Sequence, residues 1–254
     1  MTKKFITFGG GSKNFIDAGK RLIKQAQSID LFDETILYTD SWLQKHNDFW
    51  SKHSKFVKNN KRGYGYWIWK PYITKYTMDN MKNGDILLYL DCGCEIDKKN
   101  KNKLNNYLNK VKKLYIITSS TGCLTKYWTK MDLFLYLDAK SYADKIQRAA
   151  GAVIYYVCDK TRKLVNEWYD TACNYDLIDD TPSIHNNYSG FKEHRHDQSI
   201  FNLLVYKYGI NNKLDMKHVI EYSRNRTGNS RLNTTSTKNK NKTRTNKNKT
   251  RKNK

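Results

Sequence analysis

GDILLYLDCGCEI, residues 84–96, sets the frame for the whole chain. Gly84 and Asp85 turn into an unbroken apolar run, Ile86–Leu90, which ends on an acidic residue, Asp91, followed at once by small ones. A short apolar run bounded by turn signals reads as a buried strand. Working outward, residues 5–8 form a second apolar run, broken by Gly9-Gly10-Gly11. Phe15, Ala18, Leu22, Ala26 and Ile29 follow at helical spacing. Residues 36–38 predict the next strand and residues 42–50 a helix. Pro71 suits the first turn of a helix running to about Met81. Leu104, Leu108 and Val111 mark another helix, and residues 114–118 and 152–157 two more strands. Leu164, Val165, Trp168 and Ala172 make a helical stripe, as do Ile200, Leu203, Leu204 and Tyr208, the last closed by Gly209. Alternating strands and helices predict an α/β domain with a mostly parallel central sheet flanked by helices, where ligands bind beyond the carboxyl ends of the strands.

Charge is unevenly spread. The 254 residues carry a formal net charge of +23, yet residues 224–254 hold 12 of the 47 basic residues and no acidic one. The remainder, with 35 basic and 24 acidic residues, is moderately basic, as suits a phosphate-bearing ligand or an anionic surface. We therefore expect one domain over residues 1–222 and a disordered Lys/Asn/Arg/Thr-rich tail over residues 223–254, which lacks the apolar residues to bury a core. Five cysteines at irregular spacing predict reduced thiols. No run approaches the ~18 apolar residues of a membrane span, and the start, MTKKFITFGGG, lacks a signal-peptide core. Both point to a cytoplasmic protein, with the tail able to hold it at an anionic membrane surface or on a polyanion.

Four stretches carry chemistry. If the strand continues past Leu90, Asp91, Gly93 and Glu95 share one face, and the two carboxylates could hold a divalent cation against a diphosphate. The other reading is an ordinary strand end with Asp91 in a turn. Residues 62–71, RGYGYWIWKP, bring Tyr64, Trp67 and Trp69 for stacking on a base or a sugar face, with Arg62 and Lys70 for phosphate. The same tryptophans could instead be core residues anchoring a loop. His194, Arg195 and His196 precede the Ile200 helix, whose amino end attracts anions. Asp197 and Gln198 there could reach a sugar, or Asp197 could simply cap the helix. Gly9, Gly10 and Gly11 could let a nucleotide approach the backbone, a weak signal alone. A zinc site from Cys92, Cys94, His194 and His196 has the wrong spacing for a structural centre. A flat ring, a pyrophosphate and a polyol are what these stretches would suit together, which is the chemistry of a nucleotide-sugar.

RGYGYWIWKP, GDILLYLDCGCEI and residues 193–209, EHRHDQSIFNLLVYKYG, together resemble a group of GT-A-type glycosyltransferases found in bacterial polysaccharide clusters and large DNA viruses. Trp128-Thr129-Lys130, Gln147 with residues 149–152, and Val165 with Trp168 fall in the matching order, so the resemblance runs over residues 5–210. It implies a single GT-A-like, Rossmann-like domain. It also implies a nucleoside-diphosphate-sugar donor and a hydroxyl acceptor on a glycan, lipid or protein. Better-studied relatives place Mn²⁺ or Mg²⁺ on a D-x-D motif after a central strand. Asp91 matches the first Asp, but Gly93 stands at the second. Either Glu95 or a distant residue completes the set, or no metal is bound. Asp197-Gln198 resembles a D-Q step near the transferred sugar in some retaining members. Two rivals stand beside this expectation: a nucleic-acid-binding protein acting through its basic tail, and an inactive carbohydrate-binding relative.

Overall fold

The computed structural model describes residues 1–210 and 212–232. It begins, as the spacing predicts, with strand β1 (Lys3–Phe8), the glycine turn and helix α1 (Lys13–Ser28), then strand β2 (Glu34–Tyr38). The single helix expected over residues 42–50 is two, α2 (Asp40–Lys45) and α3 (Asn47–Asn59), broken where His46 goes extended and its ring stacks on Trp42. A left-handed turn, α4 (Gly63–Tyr66), leads into α5 (Trp69–Asp79), with Pro71 in its first turn. Strand β3 (Ile86–Leu90) follows, then α6 (Lys101–Leu114) and β4 (Ile116–Leu124). The short α7 (Met131–Tyr136), β5 (Ile146–Tyr156), α8 (Asp159–Ala172) and α9 (His196–Lys207) complete the elements used below.

The five strands form one sheet in the order β2-β1-β3-β5-β4. Strand β3 is buried along its whole length, and its residues divide between the two faces with period two. Leu87 and Tyr89 join a core with residues of α5, α8 and α9, while Ile86, Leu88 and Leu90 pack with α1 and α6. The result is a three-layer α/β domain.

The sheet is mixed: four of its five strands run the same way, and β5 alone is reversed. β1 runs parallel to β2 and β3, but β5 runs antiparallel to both β3 and β4. The alternation rule fails here because no full-length helix returns the chain between β4 and β5. Only the six-residue α7 and short turns lie there. The consequence for the site is direct. The carboxyl ends of β1 and β3 and the amino-terminal half of β5 meet at one edge, where Leu90 pairs with Ala152 and Asp91 N–H donates to Gly151 O at 2.8 Å.

The tail expected to begin at residue 223 does not begin there. Glu221 forms an antiparallel bridge with Glu95, and residues 223–232 run on across the turn after β3 as a strap. Asn225 N–H donates to Gly93 O at 2.9 Å, and Asn225 is fully buried. Residues 233–254, the rest of that predicted tail, lie outside the described residues. Among the described residues no helix is long and apolar enough to cross a membrane.

Candidate active site

Beyond Leu90 the chain does not continue as a strand. Cys94 N–H donates to Asp91 O at 2.9 Å, closing a turn that leaves Asp91 at the mouth of a cleft. Tyr89, two residues earlier on the same face, donates its hydroxyl to Asp91 Oδ1 at 2.6 Å. Lys70 Nζ lies 3.2 Å from the same oxygen and 2.9 Å from Asp197 Oδ2. Lys70 comes from the first turn of α5 and Asp197 from the first turn of α9, the two helices packed on Tyr89's face of the sheet. A cation in a helix's first turn works against the helix dipole, so the paired carboxylates must hold it there.

Exposure separates the three. The side chains of Lys70 and Asp197 are about 4% and 5% exposed, that of Asp91 43%. Burial opposes the charge on Lys70, but Asp197 and Asp91 outweigh it and raise its pKa. Burial pushes the Asp197 carboxyl up to about 6 against the pull of Lys70. Burial, with Asp91 beside it, also raises the Tyr89 phenol, which stays a donor. The ammonium thus bridges a buried carboxylate and a solvent-facing one.

Above this triad lies a cleft of about 1140 Å³. Phe8, Gly10, Gly11, Tyr64, Trp67 and Trp69 line one side. Tyr64, Tyr66 and Trp67 all hold positive φ, as do Gly63 and Gly65, a run of left-handed backbone that non-glycine residues rarely adopt. Trp69 is chiefly a core residue. It stacks on Phe8 at 3.9 Å and its Nε1–H donates to Gly63 O at 2.9 Å, so Tyr64 and Trp67 are the half-buried rings facing the cleft. Gly10 and Gly11 reach the cleft. Gly9 does not: its Cβ would strike Phe15 O at 2.6 Å, so it serves the packing of α1 on β1.

The cleft's charge is one-sided. Lys58, Lys61, Arg62, Arg195, Lys217, Arg224 and Arg226 line it, against Asp91 as the acidic lining residue among those described. Arg62 is already committed, its Nη1 donating to both oxygens of Asp180 at 2.9 and 3.1 Å with Glu193 nearby. Arg195 lies over the Trp128 ring, 3.8 Å from its centroid. Gln198 also lines the cleft, its side chain fixed by Gln147 Oε1 at 3.0 Å and Ala150 N–H at 3.3 Å.

Several predicted site residues lie elsewhere. Asp197 is beneath the cleft, reaching it only through Lys70, and it is not the helix cap, which falls at Arg195. His194 is buried, donating from Nε2 to Leu177 O at 3.0 Å, and it lines a separate cavity of about 330 Å³. His196 is buried between Tyr66 and Asp180. Burial lowers the pKa of both histidines, so neither supplies a positive charge to a donor.

Glu95 overturns the shared-cation arrangement. It is fully buried, and its carboxylate accepts from Gln25, Ser223, Asn225, Ser230 and Arg231 N–H. Burial works to raise its pKa, yet these hydrogen bonds hold it below the usual range. The expectation that Glu95 pairs with Asp91 on a metal fails because the turn after Leu90 breaks the period-two register. Among the described residues no cluster of three or more Asp, Glu, His or Cys could hold a metal ion. Asp91 Oδ1 is taken by an ammonium and a phenol, and among the described residues no second carboxylate lines the cleft beside it, so the donor set does not fit Mn²⁺ or Mg²⁺. Cys92 and Cys94 are buried free thiols, with burial pushing Cys92 up to about 12, far from a zinc-binding thiolate.

Three contributors escaped the sequence reading. A Cβ on Gly151 would lie 2.7 Å from Asp91 Oδ2, so that glycine makes room for the carboxylate. Arg21, 5% exposed, donates to Cys92 O, Cys94 O, Asn225 O and Thr227 O, tying the Asp91 turn to the strap. Tyr89 sat unremarked inside the apolar run. A glycine just inside a strand signals a close backbone approach, and that signal was available in AAGAVIYY.

No family model matches the chain, and no curated protein matches it by sequence. Solved structures match in outline. A glycosyltransferase involved in glycosylation of the major capsid of PBCV-1 aligns with TM-score 0.44 and 10% identity, over 84% of this chain and 80% of that one. Mouse xyloside xylosyltransferase 1 aligns with TM-score 0.43 and 8% identity, over 85% and 84%. The galactosyltransferase LgtC, solved with donor and acceptor sugar analogues, aligns with TM-score 0.40 and 12% identity, over 79% and 70%. The likeness is one of chain path, and identities this low tie no residue role to it.

Proposed function

We propose that the protein is a glycosyltransferase that moves a sugar from a nucleoside-diphosphate-sugar to a hydroxyl acceptor. The observation that carries this reading is the Asp91–Lys70–Asp197 triad at the carboxyl end of β3, set in a cleft with rings on one side and cations around it. Tyr64 and Trp67 would take the flat base or a sugar face, Gly10 and Gly11 the nucleotide backbone, and Asp91 and Gln198 the donor's hydroxyls. The step balances simply. The bond from the anomeric carbon to the β-phosphate oxygen breaks, and its electron pair leaves with the diphosphate. The acceptor oxygen bonds to that carbon and gives up its proton, to Asp91 or to the departing diphosphate. Fixed cations around the cleft favour the negative charge that develops on the leaving group. Asp197 acts at one remove, holding Lys70 in place.

A panel of nucleotide-sugars tested by thermal shift, followed by assays of sugar transfer and donor hydrolysis, tests the proposal. At least one donor should raise the melting temperature and be turned over, and Asp91→Asn should lose that turnover while staying folded. A panel in which no donor binds, or an Asp91→Asn protein with undiminished turnover, would overturn it.

A further inference from the structure

We infer that the donor's diphosphate is neutralised by the protein's own cations, with the strap's Arg224 and Arg226 in front and Lys70 behind Asp91, in place of a divalent metal. This rests on the transferase reading above and specifies how its leaving group is held.

Three observations converge. The position of a second D-x-D carboxylate, Gly93, lies under the strap. A Cβ there would lie 3.4 Å from Arg224 Cα and 3.7 Å from Asn225 N, so a longer side chain would run into the strap backbone. Gly93 O is itself used to seat the strap, accepting from Asn225 N–H at 2.9 Å and Ser223 Oγ at 3.1 Å. Next, the place beside Asp91 where a bridging cation would sit is filled by Lys70 Nζ, held between two carboxylates. A dication placed there would meet an ammonium at close range. Last, the strap's own construction points its charges at the cleft. Asn225 is fully buried on Glu95, while its two neighbours, Arg224 and Arg226, both line the cleft. Among the described residues neither forms an ion pair with a carboxylate; Arg226 lies 5.3 Å from the Phe15 ring. Two guanidiniums without a carboxylate partner, on a strap pinned by Arg21 and Glu95, are a ready fork for phosphate oxygens.

The same features explain why Gly93 and Glu95 depart from a metal-binding pattern together. Glycine lets the strap cross, and the glutamate anchors it. Asp91 stays, and the positive charge that a metal would supply comes from a basic pair delivered from elsewhere in the chain.

Inorganic pyrophosphate is the probe, with binding to the full chain read by calorimetry in EDTA and in Mn²⁺. The expected result is binding in EDTA that Mn²⁺ does not tighten. The Arg224→Gln, Arg226→Gln double variant should bind about tenfold more weakly in EDTA, the loss expected for charge-assisted hydrogen bonds. Binding that appears only with Mn²⁺, or a folded double variant that binds as tightly as the parent, overturns the inference. The EDTA arm on the unaltered protein decides the matter even if the double variant fails to fold. The two proposals also fail separately. Pyrophosphate held by the strap with no nucleotide-sugar turned over would leave the clamp and remove the transferase. Turnover that needs Mn²⁺ and ignores both arginines would leave the transferase and remove the clamp.

Discussion

A methyl group at Gly151 is the smallest change that tests the site. Its carbon would lie 2.7 Å from Asp91 Oδ2, inside contact distance, and the part-exposed carboxylate is the group free to move. Gly151→Ala should therefore cut turnover by at least about tenfold, because misplacing a reacting group by a fraction of its own size is that costly. Its melting temperature should change by only a few degrees, as read in the same preparation. Asp91→Asn asks a different question. The shape is kept and the charge removed, leaving Lys70 with Asp197 alone. Donor hydrolysis should fall by about a hundredfold or more if the carboxylate touches the reacting sugar. At this scale the sequence marked Asp91, Lys70 and Gln198 as candidates, and the structure sets Asp91 and Gln198 on one cleft with Lys70 against Asp91, since an acid at a strand end and a polar pair at a helix start are local signals. Glu95, His194 and His196 were misread. Their partners lie far along the chain, and nothing in the neighbouring letters says that a carboxylate or an imidazole is already satisfied.

Among the elements, the strap was the least legible. Serine, asparagine, threonine and arginine with Leu232 as the one apolar residue read as a disordered tail, and the buried acceptors Glu95 and Gly93 give them a reason to fold. Chains ending at residue 232 and at residue 222 should thus behave differently. The first should keep the melting temperature and the site. The second strips four of the five donors from a fully buried carboxylate, leaves Arg21 without two of its acceptors, and should lose about 2–4 kcal/mol in urea unfolding. The helices, by contrast, were written plainly in apolar spacing. The break at His46 was hidden, because its cause is a local ring stack rather than a change in periodicity, and the short α4 and α7 carry no apolar period to read.

For the molecule as a whole, pH is the most informative variable. His53 is fully buried between the hydroxyls of Tyr169 and Tyr175, and burial lowers it from 6.5 to about 4. His194 is lowered too. The unfolded chain takes up these protons first, so stability is full above about 6.5 and is lost as pH falls toward 4. Asp197 works the other way. Its folded pKa is raised to about 6, so the folded state holds that proton more tightly and gains against the unfolded chain between about 6 and 3.8. Melting temperature should drop on acidification from 6.5, with a shallower slope below about 6. His53→Gln should be less stable at pH 7 yet lose less on acidification. Turnover has its own limb. Protonating Asp197 frees one side of Lys70, so kcat/KM should fall through a pH near 6, and Asp197→Asn should flatten that limb at a low rate. The α/β architecture was readable from alternation, whereas the direction of β5 was not, because strand polarity depends on what lies between strands and not on the strands themselves.

The strap also fixes when the site comes into being. Asp91, Lys70 and Asp197 are all made before residue 198, but Glu95 and Arg21 wait for residues 221–231. Chains are synthesised from the amino end and fold as they emerge, so the sheet can form while the cleft still lacks one wall. The stretch that brings Arg224 and Arg226 to the cleft leaves the ribosome after the sheet and the triad have been made. A chain cut short before residue 221 would thus keep its sheet and triad but lack that wall of the cleft.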